Sequence, residues 1–420
     1  MRVKKVDVKN FRSFKEVQVE LGEFNVMIGA NASGKSNFVQ IFQFFRDIKD
    51  HGLDNAISMQ GGVEYLRNMA LGTTENFSLK LIFDTKPSKY QRVRVKGGKG
   101  WIFIKTYETT YEFELGFKKG GAEFEVLNDR IVQKCEFAKF EKEKLEKLGR
   151  GKIFVFRSKN KIKVEISKDK KEIPLSKDDL FSPFLLDIEL PANTLLLQNP
   201  VIAAFIPLSF RLGKAFDISI YDFDPKLPKK ATPVAGKAVL EEDGSNLSII
   251  VKSIIENKEK KRKFLNLVQD LLPFTKDLGV EKFADKSLLF KIREKYFNET
   301  YLPASLISDG TINILALIIA LYFENKALTI IEEPERNIHP YLISKVVDMM
   351  KEASKDKQII VTTHNPEMVK NAGLENLLLV TRTEEGFSKI SRPADKETLK
   401  VFLENDIGIE ELYVKNLLGG

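Results

Sequence analysis

The sequence predicts an α/β fold with an antiparallel β subdomain attached, and three observations predict it. A short apolar strand, Phe24 to Ile28, runs straight into a glycine loop and then into an amphipathic stretch with Phe38, Ile41, Phe42, Phe45 and Ile48 on one helical face. Near the other end, Leu328 to Ile331 and Gln358 to Thr362 are short apolar or β-branched segments, each followed by a polar motif and a helical pattern, as in a parallel sheet. Between these regions, Phe77 to Glu125 alternates with period two, as in Tyr111-Glu-Phe-Glu-Leu, with Gly97-Gly98 and Gly120-Gly121 as turns.

Along the chain, Val3 to Val19 reads as two strands around the turn Asn10-Phe11-Arg12-Ser13-Phe14. Lys134 to Gly149 reads as a short charged helix, followed by strands at Ile153 to Phe156 and Lys161 to Ile166. Residues 225–233 carry prolines and read as a linker. The division expected is an N-terminal lobe over 1–130, an inserted basic α/β region over 131–235, and a C-terminal lobe over 236–420.

Composition excludes several classes. The chain has 420 residues, 43% hydrophobic and 30% charged, as in a soluble globular protein. One cysteine, Cys135, rules out an intrachain disulfide framework, and with three histidines it rules out a typical structural zinc site. The N-terminus alternates charged and apolar residues, unlike a secretory signal. The apolar run Ile312 to Phe323 is too short for a bilayer span of about 20 residues, and Leu195 to Leu212 is broken by Pro200 and Pro207. Both are expected in the core, and the protein is expected in the cytoplasm, off the membrane. The net charge of +8 is concentrated: Lys134 to Lys171 holds 14 Lys/Arg against 6 Asp/Glu. Such a patch can meet nucleic-acid phosphates or simply be a solvated surface.

Four segments carry chemistry. Gly29-Ala30-Asn31-Ala32-Ser33-Gly34-Lys35-Ser36 fits G-x-x-x-x-G-K-[ST] between a strand and a helix. Its N–H groups and the helix dipole suit the phosphates of ATP. Lys35 would reach the β- and γ-phosphates, and the Ser36 hydroxyl would ligate Mg²⁺. Leu328-Thr-Ile-Ile-Glu332-Glu333 is an apolar strand ending in two acids. Glu332 would hold Mg²⁺ and Glu333 would polarise the attacking water. Ile359-Ile-Val-Thr-Thr-His364-Asn-Pro366 ends a strand in a histidine placed to touch the γ-phosphate or that water. Ser308-Asp309-Gly310-Thr311 opens an apolar helix, with Ser308 or Asp309 as its N-cap.

These four segments stand in the order of an ABC-type ATPase head, and the set resembles the heads of the SMC, RecF and OLD-like ATPases. Asn10-Phe11-Arg12-Ser13-Phe14, the loop through Asn37, Glu242-Asp-Gly-Ser-Asn-Leu247, Glu332-Glu-Pro-Glu335 with His339-Pro340, and the ending Gly408 to Gly420 with Glu411-Leu-Tyr413 carry the likeness. It covers roughly 1–130 and 236–420. It implies a P-loop NTPase fold of two lobes, catalytic residues Glu333, His364 and Lys35, and nucleotide contacts from Gly29, Asn31, Ala32, Ser33, Gly34, Lys35, Ser36 and Asn37. It further implies that Ser308 and Gly310 bind the γ-phosphate of ATP held by a second copy, in an ATP-dependent homodimer. Pro334 to His339 would be the D-loop across that interface. Gln60 is the candidate Q-loop ligand of Mg²⁺, beside Ser36 and Glu332, and Arg12 is a candidate nucleotide or switch residue.

There are departures. The signature is Ser-Asp-Gly-Thr and the metal acid is Glu332, where transporter ATPases carry Ser-Gly-Gly-Gln and Asp. No long coiled coil or zinc hook is present. Only 56 residues follow His364, too few for the Toprim nuclease domain of OLD nucleases. The function expected is a hydrolysing ATPase acting in DNA repair or anti-phage defence, with DNA or a separate nuclease or effector as partner. The alternative is a toxin–antitoxin or abortive-infection regulator acting on a protein without DNA. The signature, Glu332 and the large insert fit a transporter subunit poorly, and the Ser308 signature ahead of the Glu332-Glu333 strand fits an AAA+ ring poorly.

Overall fold

The computed structural model describes residues 2–85, 89–96, 100–118, 123–141, 144–181, 188–199, 217–283, 286–297, 299–395 and 408–415. The glycine turns expected at 97–98 and 120–121, the apolar stretch beyond Asn199 and the ending beyond Lys415 lie outside the described residues. The chain forms two compact units, each drawn from separate stretches: 1–22, 36–217 and 381–390, and 23–35, 218–380 and 391–420. Residue 130 lies inside one long strand of the first unit.

The first unit is built on an antiparallel sheet. Its strands are β1 (Arg2–Phe11), β2 (Phe14–Glu20), β4 (Phe77–Asp84), β5 (Gln91–Arg94), β6 (Trp101–Phe117), β7 (Phe124–Glu141), β8 (Lys144–Ser158) and β9 (Lys161–Lys168). Their order is β2-β1-β4-β6-β7-β8-β9, with β5 on β6. Strict alternation makes the sheet two-faced. Phe77, Leu79, Leu81 and Phe83 of β4 are buried, and the residues between them are partly exposed. The helix Lys35–His51 supplies the opposing apolar face, where Phe44 meets Phe77 at 5.8 Å and Phe45 meets Phe83 at 6.2 Å between ring centroids. Each fully buried phenylalanine contributes about 2–3 kcal/mol to this core.

The helix expected over Lys134 to Gly149 is not formed, because the segment continues β7 and begins β8. The charge run concealed a period of two: Ile131, Gln133, Cys135 and Phe137 point inward, and Lys134 and Glu136 do not. Long-range pairing with β6, such as Tyr111 opposite Ile131, then decides for strand. The basic excess is also partly neutralised on the sheet. Lys134 pairs with Glu108 at 2.5 Å, Lys147 with Glu136 at 3.0 Å, and Arg130 with Glu112 at 3.7 Å.

The second unit is centred on a parallel sheet, in the order β10 (Ile218–Tyr221), β15 (Leu328–Glu332), β16 (Gln358–Thr362), β3 (Phe24–Ile28), β17 (Leu377–Arg382). Helices Asp309–Tyr322, Pro340–Ser354 and Pro366–Ala372 belong to the same core, and every residue from Thr311 to Leu321 is buried. Strands buried this way read as unbroken apolar runs. A smaller antiparallel sheet, β11 (Thr232–Pro233), β13 (Ser287–Glu294) and β12 (Thr275–Phe283), with β14 (Leu302–Pro303) on β13, adjoins helices Leu247–Ile255 and Lys258–Leu271. Among the described residues no helix is long and apolar enough to cross a membrane.

Candidate functional site

Strands β15, β16 and β3 are neighbours and parallel, so their C-terminal ends share one edge of the sheet. Ligands of parallel sheets bind at such edges. The ladder runs on past the strands, with Glu333 N–H donating to Thr362 O at 2.9 Å and Thr363 N–H donating to Met27 O at 2.9 Å. This brings Glu332, Glu333, His364 and the Gly29 loop together, although they are separated by as much as 335 positions in the chain.

The loop turns on unusual backbone angles. Ala32 has φ 61° and Gly34 has φ 116°. Gly29 has φ 152°, and a Cβ there would lie 2.3 Å from Val380 O, so no side chain fits. Asn31 and Ala32 are exposed, and Ser33 and Gly34 are buried. The Lys35 ammonium folds onto the loop, donating to Gly29 O at 2.7 Å and to Ala30 O at 3.1 Å. Burial holds Lys35 below its ordinary value, opposed by the charges of Glu333, Glu332 and Glu335. The Lys35 ammonium therefore lies in the field of three carboxylates. The Tyr413 hydroxyl, on the helix Ile409–Val414, accepts from the Gly29 N–H.

Glu333 adopts φ 45°. Its Oε1 lies 2.8 Å from His364 Nδ1. An ionised carboxylate only accepts, so Nδ1 carries the proton and Nε2 remains for a ligand. Its Oε2 accepts from Arg336 at 3.1 Å. Burial raises the Glu333 carboxyl, but the bonds from Arg336 and His364 outweigh this and hold it below the ordinary value. Glu335 is buried, accepts a short bond from the Thr363 hydroxyl, and is raised by burial. Glu332 ends β15 opposite Thr362, half-buried.

The Ser308 motif caps its helix as expected. The Ser308 side chain accepts from Thr311 N–H at 3.2 Å, and Asp309 pairs with Lys229. Gly310 packs under the turn that follows Glu333: a Cβ there would lie 2.4 Å from Asn337 O. His339 and Asn365 cap the next two helices, each with proline at the first helical position.

Four candidate residues, Arg12, Ser36, Asn37 and Gln60, belong to the first unit. Ser36 and Asn37 follow Lys35 in the first turn of its helix, where Asn37 donates to Ser13 Oγ at 2.7 Å. Gln60 is buried, and its Oε1, the atom a metal would take, accepts from Arg12 at 2.7 and 3.2 Å. Sequence reading took Arg336 only as part of the Pro334 to His339 segment, without its ion pairs, and missed Asp222. The i+3 spacing of Arg336 from Glu333 is the one local cue to the former, and nothing local points to the latter.

The glycine loop between strand and helix, with the acidic ends of the neighbouring parallel strands beside it, has the form of a P-loop nucleotide-binding fold. Over residues 24–370 the chain matches the family described as "AAA domain, putative AbiEii toxin, Type IV TA system", and it belongs to that family. No curated protein matches it. Among solved structures it is similar to an SMC head bound to the C-winged helix domain of ScpA, at 16% identity over 93% of this chain and 97% of that one, TM-score 0.49. The SMC head domain from Thermotoga maritima gives 16% identity over 93% and 99%, TM-score 0.43. The Smc head from Pyrococcus furiosus, with an extended coiled coil and bound to the C-terminal domain of ScpA, gives 15% over 97% and 100%, TM-score 0.49.

Proposed function

We propose that the protein binds ATP with Mg²⁺ at the Gly29–Ser36 loop, hydrolyses it, and pairs with a second copy when ATP is bound. The observation that carries this reading is the Glu333–His364 pair, at 2.8 Å, on the sheet edge that also holds the Lys35 loop. The residues suit the ligands. The loop offers backbone donors and a lysine whose ammonium spans two loop carbonyls, contacts that a phosphate replaces. Hydroxyl and carboxylate oxygens are what Mg²⁺ prefers, and Ser36 and Glu332 supply them. Bound Mg²⁺ neutralises charge on the phosphates.

Gly29 to Gly34 cradle the phosphates, Lys35 draws the γ-phosphate toward the sheet edge, and Glu333 polarises the water. His364 orients Glu333 through Nδ1 and offers Nε2 to the γ-phosphate. Ser308 and Gly310 meet the γ-phosphate held by the partner copy. The protein acts in DNA repair or defence, from the cytoplasm.

A second reading is a regulatory ATPase acting on a protein partner without DNA. Two observations favour it: the family's description as a type IV toxin–antitoxin component, and the ion pairs that neutralise Lys134 and Arg130. A steep loss of DNA affinity with salt would select the first reading.

Light scattering of Glu333→Gln with and without ATP and Mg²⁺ tests the core of the proposal. Doubling of mass only when ATP and Mg²⁺ are present, abolished by Ser308→Arg, is expected. An unchanged mass removes the two-copy reading and leaves a P-loop ATPase of other assembly.

A further inference from the structure

Arg336 divides one guanidinium between two carboxylates. Its Nη2 donates to Glu333 Oε2 at 3.1 Å and its Nη1 to Asp222 Oδ1 at 3.0 Å. The two acids end different strands, since Asp222 follows β10 and Glu333 follows β15.

The root of Arg336 is fixed. Its N–H donates to Glu333 O at 3.0 Å, and its carbonyl accepts from the buried Asn313 amide at 2.7 Å. Asn337, the next residue, sits over Gly310 with no room for a methyl group. The head is not fixed in the same way: the Arg336 side chain is 42% exposed and that of Asp222 60%. It borders an open groove of about 530 Å³ shared with Asp222, Asp224 and Asp309. Ion pairs this exposed are screened by solvent and add little net stability, so their balance is easily tipped. A rigid root with a loosely held head between two acceptors has the form of a toggle.

We infer that Arg336 holds Glu333 in a resting position and that Asp222 is the carboxylate that draws the guanidinium away. The inference rests on Glu333 being the residue that polarises water. In the arrangement seen, Glu333 has Oε1 on His364 and Oε2 on Arg336, so both oxygens are already engaged. A guanidinium turned fully onto Asp222 makes the bidentate pair it prefers and frees Oε2 to accept from water. Because Asn313 and Gly310 lie on the helix that Ser308 caps, a shift of that helix moves the root of Arg336 and carries the toggle with it.

The test compares Arg336→Ala, Asp222→Ala and the double variant in steady-state ATPase assays, with Glu333→Gln alongside. Arg336→Ala should raise kcat about two- to fivefold with KM for ATP unchanged. Asp222→Ala should lower kcat by a similar factor, and the double variant should behave as Arg336→Ala. In the nucleotide-free protein, hydrogen exchange across residues 333–338 should speed up in Arg336→Ala and slow down in Asp222→Ala. Arg336→Gln, closer in shape, should repeat the Arg336→Ala result. A slower or unchanged Arg336→Ala, an Asp222→Ala effect that persists without Arg336, or exchange shifts of one sign overturns the toggle. If Glu333→Gln still hydrolyses ATP, the role of Glu333 fails and the toggle with it. If Glu333→Gln is inactive and Arg336→Ala is not faster, the toggle alone fails.

Discussion

His364 Nδ1 lies 2.8 Å from Glu333 Oε1, across the ends of the adjacent parallel strands β16 and β15. The bond sets the tautomer of the one and the aim of the other. His364→Ala removes both and leaves the loop intact. Hydrolysis should fall on the order of 10²-fold, with ATP affinity within about twofold of wild type. Single-turnover hydrolysis beside fluorescent-ATP titration separates the two effects.

Gly310 is a packing requirement as well as a candidate phosphate contact. A methyl group would meet Asn337 O at 2.4 Å, and that atom is backbone, which cannot swing aside. Gly310→Ala should cost about 1–3 kcal/mol of stability and displace the turn that carries Arg336. A thermal melt reads the first effect. A wild-type melting temperature would mean that the helix and the turn separate readily.

Gln60 can be judged by two substitutions. The Arg12 guanidinium is lowered by burial and has Gln60 Oε1 as acceptor. Gln60→Ala leaves it without that acceptor, and a loss of about 1–3 kcal/mol is expected. Gln60→Glu keeps an acceptor, so stability should be retained. If Gln60→Glu is stable but hydrolyses poorly, the Q-loop role is the stronger account.

Asp129 of β7 is fully buried and accepts from Leu196 N–H at 2.5 Å. Burial raises its carboxyl to about 7 from 3.8, against the opposing effects of Leu196, Tyr111 and Arg157. The folded chain therefore holds this proton more tightly than the unfolded chain. Its contribution to stability is complete below the unfolded value of 3.8 and is lost as pH rises to about 7. Asp129→Asn should flatten that slope and stabilise the protein at pH 8 by on the order of 2–4 kcal/mol. Urea melts at several pH values check it, and an unchanged slope would refute the assignment.

Much of the site was legible because it is local. The Gly29–Ser36 loop announces itself by spacing, since phosphate wrapping needs glycine at set positions. Strand ends such as Ile331-Glu332-Glu333 and Thr363-His364 announce themselves by an apolar run that stops at polar residues. The segment Lys134 to Gly149 was misread because charge density suggested a helix, while the inward alternation of Cys135 and Phe137 was the deciding pattern.

By itself the sequence determined the strand–loop–helix unit, the cap at Ser308, and the apolar core helix after Gly310. Each depends on propensity and hydrogen bonding within a few residues. Only the tertiary structure decided that β3 lies beside β16, that Gln60 holds Arg12, and that Arg336 reaches Asp222, 114 positions away. Those pairings follow from which strands share an edge, and that is set by burial summed over the whole unit, which no local pattern records.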